Sequence, residues 1–114
     1  MTEKTYPTPN PHGVFIPTTC EVIKGHGSGW FVKIYVVETA ENEWRSSYSM
    51  GAARFGASSM PNVHSKTYPS RVAAVESAID KAIKYLASQN EAKARQMSAW
   101  LRDKKKQIYL LKLF

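Results

Sequence analysis

With 114 residues, 43% of them hydrophobic and 22% charged, the chain is long enough for one core and too apolar for a disordered segment, though one domain of this size holds little stability in reserve. Cys20 is the only cysteine, which excludes an intramolecular disulfide, leaves any zinc site to histidines and acids, and favours a reducing, cytoplasmic setting. A net charge of +7 and a pI near 9.6 point to an acidic partner, nucleic acid first among them, or else serve only to keep a small protein soluble.

The opening MTEKTYPTPNPHG has no apolar stretch of the kind a signal peptide needs, and no run of about 18 apolar residues predicts a membrane span. Pro7, Pro9, Pro11 and Pro17 make residues 1–17 an extended arm, because proline lacks the N–H that a central strand or helix would use. Val14-Phe15-Ile16 is where that arm can be pinned to a core. TTCEVIK, residues 18–24, reads as a short strand with Cys20 and Val22 on one side and Glu21 and Ile23 on the other. Gly25, Gly27 and Gly29 then predict a flexible hairpin connection over residues 25–29. A glycine-rich phosphate loop would need a helix after it, and a strand follows.

That strand, WFVKIYVVET over residues 30–39, is the clearest in the chain, rich in β-branched and aromatic residues. Alternation puts Trp30, Val32, Ile34 and Val36 on one face, the seat for a helix, and Phe31, Lys33, Tyr35 and Val37 on the other. The second face is either solvated or able to stack on bases. After a polar turn at Ala40-Glu41-Asn42-Glu43, residues 44–52 alternate Trp44, Ser46, Tyr48 and Met50 against Arg45, Ser47 and Ser49, a second long strand antiparallel to the first. Trp30, Trp44 and Tyr48 share the apolar alternation and read as core. Residues 55–67 are small, polar and turn-rich, with room for a short strand at residues 63–68.

SRVAAVESAIDKAIKYLASQN, residues 70–90, carries agreeing start, repeat and stop signals for a helix. Pro69 keeps the incoming chain extended and Ser70 is the expected N-cap. Val72, Val75, Ile79, Ile83 and Leu86 form one apolar stripe, with Asp80 and Lys84 spaced for an ion pair on the far side. Residues 91–114 predict a second helix whose stripe is Met97, Trp100, Leu101, Ile108 and Leu111, interrupted by Lys104, with Arg95, Arg102, Lys105 and Lys106 elsewhere on its surface. This segment has seven Lys or Arg against Glu91 and Asp103, so it supplies +5 of the +7. Its terminal IYLLKLF run is apolar enough to call for cover from its own domain or a second subunit, and a homodimer through residues 91–114 is expected.

The order predicts an α+β fold: a three- to four-stranded antiparallel sheet with one helix packed on one face, plus a second, basic C-terminal helix. Residues 1–17, 18–90 and 91–114 are its arm, its sheet-and-helix domain and its basic helix. No catalytic constellation is predicted. His12, His26 and His64 fall in loops without metal-site spacing, Glu38, Glu41 and Glu43 cluster at a wet hairpin tip, and no serine stands in a nucleophile motif. Neither a metal nor a cofactor is expected. What remains is a basic and aromatic surface: Lys33, Tyr35, Arg45 and Arg54 on or beside the sheet, Lys66 and Arg71 near the first helix, and Arg102, Lys104, Lys105 and Lys106. Cations neutralise phosphates and aromatic rings stack on unpaired bases.

Trp44 and Tyr48, then Gly56-Ala57-Ser58-Ser59-Met60-Pro61, then Tyr68-Pro69-Ser70-Arg71 with Ala74, resemble a small domain that recurs in plasmid and phage proteins, including ends of ParB-like and DNA-methylase-associated chains. The resemblance covers about residues 30–87 and implies mobile-element DNA metabolism. The order of three strands then a helix is also similar to double-stranded-RNA-binding and three-stranded integrase-arm domains, although Ser70-Arg71-Val72-Ala73 lacks the lysine pair that the former carry at the helix start. The sequence therefore predicts a non-enzymatic nucleic-acid-binding protein, for DNA more than RNA. The alternative is a small interaction module, inhibitor or adaptor that docks on an acidic or nucleic-acid-binding protein.

Overall fold

The long strands β2 (Trp30–Ala40) and β3 (Glu43–Ala52) form the centre of a four-stranded antiparallel sheet, flanked by β1 (Glu21–Gly27) and β4 (Gly56–Ser58) in the order β1-β2-β3-β4. This computed structural model describes residues 5–112, the side chains of 109–112 excepted. Two helices, α1 (Arg71–Ala87) and α2 (Ala92–Lys112), complete the chain, and both contribute to one core with a single face of the sheet. The fold is α+β in two main layers.

Pleating decides which residues meet the helices. Val32, Ile34 and Val36 are at most 1% exposed and share the core with Val75, Ile79 and Leu86 of α1. The three side chains of the inner β2 row thus fill the expected seat. Ser70 caps α1 through its hydroxyl, which accepts from the Ala73 N–H at 3.1 Å. Ala74, Ala78 and Ala82 are also fully buried, so the buried side of α1 is wider than its branched residues suggest and lets the backbone approach closely. Across the short 88–91 connection α2 returns beside α1 and adds Ala94, Met97, Leu101 and Ile108 to the same core. It is part of this domain's core rather than an appendage. Asp80 does not pair within its helix as the spacing suggested; Lys105 of α2 reaches it at 2.7 Å, joining the two helices.

β1 is longer than its sequence implied. It runs through Gly25 to Gly27, leaving only Ser28-Gly29 to turn, with Gly29 at φ +78°. Gly25 faces the helices opposite Val32, and a Cβ there would lie 2.2 Å from the Trp100 ring. This glycine serves close helix–sheet approach as part of the strand. The expected strand at 63–68 is absent; those residues form a loop whose one backbone bridge to the sheet is Trp44–Tyr68. The fourth strand is Gly56–Ser58, from the segment read as turn, where Tyr85 of α1 donates to the Gly56 carbonyl at 2.8 Å.

The outer sheet face is covered at one end. Phe15 of the arm is 3% exposed, and its N–H donates to the Pro61 carbonyl while the Val63 N–H donates to Gly13. Ser47 donates from β3 to the Ser59 carbonyl, fixing this arm-and-loop layer above the strand. Beneath it Tyr35 and Val37 are 7% and 4% exposed.

Two stability tests follow from this packing. Ile79→Ala should cost roughly 2–5 kcal/mol in denaturant titration, as removal of a fully buried branched chain does. Gly25→Ala should cost about 1–3 kcal/mol by overpacking against Trp100, and the additional change Trp100→Leu should recover part of the loss.

Candidate nucleic-acid interface

Consecutive helical residues point about 100° apart, so the basic run of α2 cannot form one surface. Lys104 turns to the Trp100 ring, with its Nζ 5.4 Å from the centroid. Lys105 turns the other way, to Asp80. Arg102 and Lys106, four residues apart, remain on one exposed line. Arg95 lies on the same line, seven residues before Arg102, and among the described residues none of these three side chains has a hydrogen-bond or ion-pair partner. The sequence placed Arg95 among the basic residues of this helix but outside the candidate site; its spacing of i, i+7, i+11 is the signal that singles it out.

Arg95 and Arg102 also border a groove of about 570 Å³ between α2 and the C-terminal half of α1. Ile83, Leu86, Ala94 and Ser98 are among its other lining residues. Two cations of the line, Arg95 and Arg102, thus stand along one wall of this groove. Such a wall can hold an extended polyanion, since the guanidinium groups have donors to spare and no internal acceptor competes for them.

Three candidate cations have other partners. Arg45 donates through Nη1 to the carbonyls of Asn62, Val63 and Ser65 at 3.1, 3.1 and 2.7 Å, and through Nε to the Thr39 hydroxyl at 3.2 Å. Its side chain is only 14% exposed, so Arg45 is a staple for the outer loop and is withdrawn from the interface. Arg71 forms a two-pronged ion pair with Glu21. Lys105 is held by Asp80. Tyr35 is withdrawn as a stacking residue because its ring is buried under the arm-and-loop layer.

Others remain at the surface but apart. Arg54 is 81% exposed, with Glu91 4.0 Å away, and Lys33 lies beside Phe31 on the open end of the outer sheet face. Lys66 sits 5.7 Å from the Tyr68 ring beside a small cleft of about 190 Å³ shared with Lys81. Burial alone would raise the Tyr68 phenol, but its hydrogen bond with Ser77 and the adjacent Lys81 and Lys66 outweigh burial and hold it below the usual tyrosine range. Tyr68 and Ser70 also have structural work: Tyr68 exchanges backbone hydrogen bonds with Trp44, and Ser70 caps α1.

Among the described residues, no three His, Cys, Asp or Glu side chains come together to hold a metal ion, and no helix is long and apolar enough to cross a membrane. Comparison with protein-family models, with curated proteins and with solved structures found no match.

The Arg71–Glu21 pair gives a pH test. Hydrogen bonding from Arg71, against a weaker effect of burial, holds the Glu21 carboxyl below its ordinary range. A depressed acid stabilises the fold above its unfolded pKa and loses that contribution as pH falls through the folded one. Glu21→Gln should therefore cost about 0.2–1 kcal/mol at pH 7, the modest size reflecting side chains 39% and 48% exposed. The gap should close well below pH ~4 in parallel denaturant titrations.

Proposed function

We propose that this protein binds nucleic acid without acting on it chemically, DNA being favoured over RNA, through phosphate contacts along α2. The observation that carries the reading is the line of Arg95, Arg102 and Lys106, three exposed cations on one rigid helix with no partner among the described residues. Eleven residues of helix span about 16 Å, a length over which one strand of a duplex presents about five phosphates. Asp103 is the only acid in the helix. Recognition of this kind is largely indifferent to sequence, because phosphates position a protein and base edges specify. Our reading takes from the sequence resemblance a role in the cytoplasmic DNA metabolism of a plasmid, phage or other mobile element. A homodimer through the end of α2 would double the cationic surface; the IYLLKLF run on which that expectation rests lies, after Ile108, outside the residues whose side chains are described. Ile108 itself is buried in its own domain.

Replacing Arg95, Arg102 and Lys106 together by Gln should weaken binding about equally across duplex sequences. It should also flatten the slope of log K against log salt by up to about 2.7, at roughly 0.9 for each phosphate no longer neutralised. Changing Lys104 and Lys105 to Gln should do less, since those side chains are turned to Trp100 and Asp80. Fluorescence anisotropy at two salt concentrations distinguishes the variants, and a wild-type protein without salt-sensitive binding to any nucleic acid would defeat the proposal.

A further inference from the structure

The open end of the outer sheet face holds a second surface, on the opposite layer from the α2 line. Phe31 is 40% exposed there although it stands in a central strand. Its direct neighbour across β3 is Gly51, and a Cβ on that glycine would lie 2.7 Å from the Phe31 ring. The ring lies down on the backbone of β3, where any larger residue would lift it. Gly29, Trp30, Gly51 and Ala52 complete a shallow hollow of about 330 Å³ around it.

The surroundings of the ring are cationic. Lys33 has its Nζ 5.6 Å from the ring centroid, and in β1 the cross-strand partners of Phe31 and Lys33 are His26 and Lys24. Arg54, in the β3–β4 connection at the same end of the sheet, has Glu91 of the α1–α2 connection 4.0 Å away and is not one of these cations. The adjoining outer-face positions on β3 and β4 are Ser49 and Ser58, and no acid occupies these rows. The other large apolar residues exposed by 40% or more among those described, Ile16 and Val63, belong to the arm and loop at the covered end. One aromatic ring among cations and hydroxyls is a poor seat for an apolar protein surface, which needs a contiguous patch. It suits a planar, uncharged group carried on a polyanion.

We propose that Phe31 is a stacking platform for an unpaired base of single-stranded nucleic acid, with Lys24 and Lys33 holding the phosphates beside it. A paired base inside a duplex keeps both faces covered by its neighbours and cannot lie on the ring, so this surface selects single strands. It rests on the reading that the ligand is nucleic acid, and on different residues from the α2 line.

The test uses the full chain, an oligo-dT strand, the same strand with abasic residues, and a duplex, followed by anisotropy. Oligo-dT should bind roughly 5- to 150-fold more tightly than the abasic strand, the range that stacking of one base on an aromatic side chain spans. Phe31→Leu should erase that ratio, leave duplex binding unchanged, and be rescued by Phe31→Trp. Lys33→Gln should weaken both single strands alike and lower their salt slope by about 0.7. An unchanged ratio in Phe31→Leu overturns the platform. Loss of all binding in the Arg95, Arg102 and Lys106 variant with no effect of Phe31→Leu leaves the α2 reading standing and removes this one; the reverse pattern does the opposite. No binding of any strand removes both, and a dimer that Phe31→Leu converts to a monomer in light scattering assigns the ring to self-association and refutes the platform.

Discussion

β2 is buried on both faces through its middle, from Ile34 to Val37, and the rest of the structure depends on that. Its inner row, Val32, Ile34 and Val36, must be covered by helices, and α1 alone is a single rod across a sheet of four strands. α2 is therefore drawn into the same core, with Met97 and Leu101 fully buried. Close approach of the two layers accounts for the small residues where they meet: the buried alanines of α1, and Gly25, which makes room for Trp100. The outer row requires cover as well. Because both helices lie on the inner side, that cover has to come from the arm and the loop before α1.

This second cover explains the position of Arg45. A guanidinium over a sheet face would ordinarily be an attractive phosphate contact, yet three loop carbonyls converge on it. Those carbonyls belong to a loop tied to the arm by the Phe15–Pro61 and Val63–Gly13 backbone hydrogen bonds. Satisfying them with a rigid, five-donor group secures the loop without a strand. The layer stops short of the β1–β2 turn, and for that reason Phe31 stays exposed while Tyr35, four residues later on the same face, is buried.

The same geometry divides the charge. The sequence carries 16 Lys and Arg residues, but a net charge of +7 does not say where a polyanion would lie. Folding commits Arg45, Arg71 and Lys105 to internal partners and leaves Arg95, Arg102 and Lys106 on one line of α2. Apart from the Lys66–Lys81 cleft, two surfaces with cations facing solvent carry the functional reading, the helical line and the Phe31 end of the sheet. They lie on opposite layers, so a long single strand would have to wrap round an edge of the domain to occupy both.

Local chemistry alone determined much of this protein. The Ser70 cap, the α1 stripe, the β2 alternation and the polar turn before β3 depend on residues a few positions apart, and periodicity and capping read such relations directly. The α+β class followed from their order. Tertiary structure decided the rest, because the deciding partners are distant in sequence. Gly25 belongs to a strand because β2 is beside it and Trp100, seventy-five positions away, lies over it. Gly56–Ser58 forms a strand because the edge of β3 and Tyr85 are available to it. Tyr35 and Phe31 are equivalent in alternation and differ only in what crosses above them, and Arg45 and Arg102 are equivalent in charge and differ only in which acceptors surround them. Composition fixes how many cations a chain has; folding decides which of them are already satisfied.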